Sequence, residues 1–95
     1  MYPVENKEIE LGYPVTVKGK EYKSLTMRRP KVRDQLIADK QNQDDFDKEV
    51  HLLSLLTEVE KEVIQELDLN DFEEVQQTLV GFRKKSSEKE TSSKE

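Results

Sequence analysis

The 95-residue chain has no cysteine and a single histidine, His51, which removes most routes to covalent or acid–base catalysis. No thiolate is available as nucleophile or metal ligand, and no disulfide can staple the fold, which suits a reducing compartment. His51 stands between Val50 and Leu52, the setting of a flanking or partly buried side chain rather than of a proton donor. The three glycines, Gly12, Gly19 and Gly81, lie too far apart to cradle a phosphate in one loop. No segment approaches the roughly 20 apolar residues of a membrane span. The opening Met1-Tyr2-Pro3-Val4-Glu5-Asn6 has neither the basic head nor the apolar core of a secretion signal. The expectation is a soluble, intracellular protein that is not an enzyme.

Metal chemistry is equally poorly supplied. Asp44, Asp45, Asp47 and Glu49 form an acidic group, but the glycine and the twelfth-position ligand of a calcium loop are missing from the register. Such carboxylates read as helix-start residues favoured by the macrodipole. Neither metal nor cofactor is expected.

What the chain does have is charge. Charged residues make up 39%, hydrophobic residues 33%, and the mean hydropathy is -0.93, so one small domain with a modest core is the most it can build. Lys and Arg against Asp and Glu count 9 to 6 over residues 1–40, 2 to 12 over residues 41–82 and 5 to 3 over residues 83–95. The strongly acidic middle repels nucleic acid and favours a partner with a basic face. Arg28, Arg29, Lys31 and Arg33 are the one basic cluster. It is a candidate for phosphate contacts, but no aromatic residue is interleaved. The other readings of this cluster are an intramolecular charge patch and a protein-binding patch.

Periodicity orders the elements. Ile9 and Leu11, then Val15 and Val17, alternate as in a strand, and Tyr22, Leu25 and Met27 form a second run beyond Lys18-Gly19-Lys20. Glycine at that connection predicts a hairpin over residues 7–28. Pro14 breaks the first strand or places it on an edge. Pro30 suits the first position of a helix with Val32, Leu36 and Ile37 on its apolar side. Asp44 or Asp45 caps a second helix, in which Phe46, Val50, Leu53 and Leu56 recur at helical steps and Leu52 and Leu55 widen the face. This is the expected central core helix. Thr57-Glu58-Val59-Glu60 fits a capping box ahead of Val59, Val63, Ile64 and Leu67. Asn70 caps a fourth helix whose stripe is Phe72, Val75, Leu79 and Phe82, with Gly81 loosening its last turn.

The expected fold is α+β: a small antiparallel hairpin, then three to four short amphipathic helices over residues 30–82. Residues 1–83 form a single domain. Residues 84–95, which contain no apolar side chain, are expected to be a disordered tail. Four helices and a hairpin offer more apolar face than so small a fold readily encloses, so one stripe is expected to remain for a partner helix. The candidate partner-binding residues are Phe72, Val75, Leu79 and Phe82, with Arg28 and Arg29 at the strand-to-helix junction.

One resemblance emerges from the order of these elements. Leu25-Thr26-Met27-Arg28-Arg29-Pro30, then Asp34 and Leu36, then Leu52-Leu53-Ser54-Leu55-Leu56-Thr57, then Leu67-Asp68-Leu69-Asn70-Asp71-Phe72 resemble the small tail assembly chaperones of contractile-tailed bacteriophages. The similarity covers roughly Val15 to Phe82. The chain departs from the usual pattern after Thr57, where members often carry glycine and proline and this chain has Glu58-Val59-Glu60-Lys61. The resemblance implies a non-enzymatic role: binding the apolar, helical tape-measure protein and holding it soluble while tail-tube subunits polymerise around it. It also implies action in the host bacterial cytoplasm, absence from the finished virion, and a longer frameshifted product, for which the codons of Lys84-Lys85 are the place to look. Neither nucleic acid nor membrane is an implied partner. The competing readings are a small DNA-associated regulator using Arg28–Arg33 and a host-directed phage inhibitor protein.

Overall fold

The structure, a computed structural model, describes the backbone of residues 6–94 and the side chains of residues 6–83. Strand β1 (Asn6–Val17) and strand β2 (Lys20–Arg28) precede helices α1 (Val32–Gln41), α2 (Asp45–Thr57), α3 (Lys61–Gln65) and α4 (Leu69–Lys94). This is the expected α+β order. The tail expected from residue 84 onward lies outside the residues whose side chains are described.

β1 and β2 pair antiparallel in a two-stranded sheet, with Ile9 opposite Leu25 and Val17 opposite Lys20. The turn between them is two residues long, and both take positive φ, 53° at Lys18 and 81° at Gly19. Positive φ at both positions marks the type I′ turn that matches strand twist. The register shifts between Glu10 and Val15, where Leu11, Gly12, Tyr13 and Pro14 oppose Lys23 alone. The strand bulges at its proline, which has no N–H to give a ladder. Asp71, at the start of α4, supplies what the bulge lacks: its two carboxylate oxygens accept the N–H groups of Gly12 at 2.9 Å and Tyr13 at 3.0 Å. This satisfies two amides that have left the ladder and ties α4 to β1.

One face of the sheet carries Ile9, Leu11, Val15, Leu25 and Met27 into the core, where they join Leu53 and Leu56 of α2, Val63 and Ile64 of α3, and Val75 and Phe82 of α4. The expected central helix is therefore central, and its start is capped by Asp44, whose side chain accepts from the Phe46 and Asp47 N–H groups. Phe46 itself, expected on the buried stripe, is 56% exposed, with its ring 5.7 Å from that of Phe72. It sits in the first turn of α2, beyond the edge of the core.

Five local expectations are corrected. Pro30 does not open α1: Lys31 is the N-cap and Val32 the first helical residue. Nor do Val32, Leu36 and Ile37 form the buried side of α1. Val32 is 80% and Leu36 55% exposed, whereas Asp34 and Ala38, one turn apart, face inward. The physical cause is an ion pair. Asp34 takes two hydrogen bonds of 2.9 Å from the Arg28 guanidinium and a third from the Lys31 N–H, and a carboxylate so engaged fixes the roll of the helix that bears it. The capping signatures at Thr57 and Asn70 also lose to competitors. The Thr57 hydroxyl donates to the Leu53 carbonyl inside α2, and α2 ends on Glu58 in the left-handed region at φ 59°, so α3 starts instead from Glu60. At α4 the cap is Asp68, whose carboxylate accepts the Asn70 N–H at 3.0 Å while its carbonyl takes the Phe72 N–H. Gly81 lies inside α4, which continues past it.

Candidate partner-binding groove

The strand-to-helix junction brings together two arginines with different surroundings. Arg28 is absorbed by the fold: besides Asp34 it reaches the Leu55 and Arg29 carbonyls at 3.3 Å, and its Nε lies 3.5 Å from the exposed Glu58 carboxylate. Hydrogen bonding and charge together hold the Asp34 carboxyl below the usual carboxylate range, with the Arg28 hydrogen bond the largest cause, and burial opposes the shift. Arg28 thus locks β2, α1 and the end of α2 to one another. Arg29 points elsewhere. Its guanidinium lies 5.5 Å from the centre of the Phe82 ring, and the Lys7 ammonium lies 4.9 Å from the same ring, distances at which cations are attracted to an aromatic ring.

Arg29 stands at the edge of an open groove of about 460 Å³ between the junction and α4. It is lined by Pro30, Val32 and Gln35 from the junction and α1, by Leu52 of α2, and by Leu79, Phe82 and Arg83 of α4, with the Phe82 ring against Arg29. Lys31 completes the lining. Its size lies within the range of about 300–1,000 Å³ seen for sites that hold several apolar groups. Val32 is exposed at its mouth, and Leu36 continues the apolar strip one turn along α1. Among the described residues, Arg29, Lys31 and Arg83 and no carboxylate line the groove.

Of the residues singled out by sequence, Arg29, Leu79 and Phe82 meet at this groove. Phe72, Val75, Leu79 and Phe82 are all less than 9% exposed and close the core against the sheet and α2, so a partner reaches most of that stripe only if α4 moves. Val32, Leu36, Leu52, Lys31 and Arg83 were not picked out as a group by sequence. The available signal was the short spacing of Lys31 and Val32 to the basic junction. Their approach to Leu79 and Arg83, some fifty residues away in the chain, is set by tertiary packing.

The remaining titratable cluster is structural. His51 is buried, its Nδ1 2.9 Å from Asn42 Nδ2, and the same Asn42 amide also donates to the Ala38 carbonyl. Asn42 therefore donates to a neutral imidazole and joins the end of α1 to α2. Burial pushes the His51 pKa down, and Lys61 adds to the effect. Among the described residues, no group of three or more His, Asp or Glu side chains is placed to hold a metal ion, and no helix is long and apolar enough to cross a membrane.

The sequence pattern described as "Phage tail assembly chaperone proteins, E, or 41 or 14" matches residues 8–84. That span runs from β1 into α4 and takes in the sheet, the junction and every residue lining the groove. Searches of curated proteins and of solved structures give no match.

Proposed function

The chain belongs to the phage tail assembly chaperone family, and from that premise we propose that it acts, without catalysis, by binding the tape-measure protein and keeping it soluble while the tail tube assembles in the host cytoplasm. The observation that carries this reading is the open groove with its exposed Val32 and neighbouring Leu36, set on a chain with a net charge of -5. A long apolar helix aggregates because its stripe has no partner. A small carrier that lends an apolar groove and adds charge counters both causes. The tail-tube protein is the second partner of this reading, since tube polymerisation is the event the complex awaits.

The test is co-expression with the tape-measure protein encoded by the same phage or prophage, reading its soluble fraction. The wild-type chain should raise that fraction severalfold. Val32→Glu combined with Leu36→Glu should not, while keeping its helical signal and melting temperature, because both side chains are exposed and exposed substitutions typically change stability by about 0.5 kcal/mol or less. No rescue by wild type, with no tail protein retained on it, would falsify the chaperone reading.

A further inference from the structure

We infer that the groove between α1 and α4 receives an amphipathic helix whose apolar stripe is bordered by acidic residues. The inference rests on the chaperone reading for the source of that helix, a segment of the tape-measure protein. It specifies what kind of segment is held, and where.

The charge pattern is the argument. Residues 41–82 carry twelve acidic and two basic side chains, yet among the described residues the groove's lining includes the exposed Lys31 and Arg83 and no carboxylate. A local reversal of sign on an acidic molecule is a field that favours one class of ligand and rejects the other. Position adds to it. Lys31 and Val32 are adjacent at the start of α1, and Arg83 lies one turn beyond Leu79 on α4, so both walls pair an apolar contact with a cation close to it. Leucine-like side chains entering over Leu52, Leu79 and Val32 would carry their flanking residues past Lys31 on one side and Arg83 on the other. Glutamate there would be attracted and lysine repelled. Helix α1 is ten residues long, about 15 Å at 1.5 Å per residue, which matches an i, i+3/i+4, i+7 stripe of about two to three turns.

Two synthetic helical peptides test this, both with leucine at i, i+3, i+4 and i+7, one flanked by glutamate and the other by lysine. Titrated into the isotope-labelled full chain, the glutamate peptide should shift amides of residues 30–36 and 79–83 and bind at least about tenfold more tightly than the lysine peptide, the preference shrinking with added salt. Lys31→Glu with Arg83→Glu should invert the preference; both side chains are exposed, and circular dichroism checks that the fold persists. Three results overturn the inference. They are equal affinity for the two peptides, a preference unchanged in the double variant, and shifts centred on Phe46 and Leu69 instead. Self-association at rising concentration that Val32→Glu abolishes would also overturn it, by giving the groove to a second copy of the chain. The solubility assay separates the two levels of the proposal: rescue by wild type without peptide preference sinks the groove alone, whereas failed rescue sinks the chaperone reading whatever the peptides do.

Discussion

At the scale of single residues, the Arg28–Asp34 pair does the most to shape the molecule. Asp34 is 2% exposed and accepts hydrogen bonds from Arg28 and the Lys31 amide. Asp34→Ala leaves the Arg28 guanidinium half-buried beside unmatched carbonyls, and a loss of about 3 kcal/mol is expected in urea unfolding. A loss under about 1 kcal/mol would show that solvent already screens the pair. Two pH effects follow with definite signs. The Asp34 carboxyl is held below its ordinary value of 3.8, so its stabilisation is complete above that value and drains away as pH falls through it towards the lower folded-state pKa. His51 is shifted down from 6.5, and for a base this means that the unfolded chain takes up the proton first. Stability should therefore fall as pH drops below about 6.5. His51→Gln should flatten the melting temperature between about pH 7 and pH 5, and an unchanged slope would place the titration elsewhere.

Single elements show what the sequence could and could not announce. The hairpin was legible because strand periodicity and Gly19 agree, and α2 was legible because its apolar steps persist over the whole helix. Backbone geometry refines both. Lys18 and Glu58 hold positive φ without being glycine, a conformation that costs non-glycine residues about 1 kcal/mol. Lys18→Asn and Glu58→Gly should each raise stability, by about 0.5 and about 1 kcal/mol, the second reduced slightly by loss of the contact to Arg28. Destabilisation by Glu58→Gly would mean that Glu58 matters more through Arg28 than through its backbone. Helix α1 was the illegible element. Its three apolar side chains proposed one inward face, and a buried carboxylate imposed another, because leaving Asp34 paired with Arg28 outweighs burying Val32 and Leu36. No periodicity scale sees such a pair across the turn from β2. The capping errors at Thr57 and Asn70 have the same form, since each signature was chemically sound and a neighbour, the Leu53 carbonyl or Asp68, engaged first.

For the whole molecule, the groove and the core divide the candidate surface that sequence offered as one stripe. Phe72 and Val75 work inside the domain, while Leu79, and Phe82 beneath Arg29, also line the groove. Every buried apolar residue among those described lies at or before Phe82, and the described lining of the groove runs as far as Arg83. Removing residues 84–95 takes away five of the chain's Ser and Thr residues, four of its Lys and three of its Glu, but none of its apolar side chains. Truncation after Arg83 should therefore leave the melting temperature within about 2 °C of the full chain, since no apolar side chain is removed. It should also preserve binding of the glutamate-flanked peptide, because Arg29, Lys31 and Arg83 all remain. A fall of about 10 °C or more would mean that residues beyond Arg83 pack on the domain. Retained stability with lost binding would move the cationic wall of the groove into Lys84, Lys85 and the residues that follow.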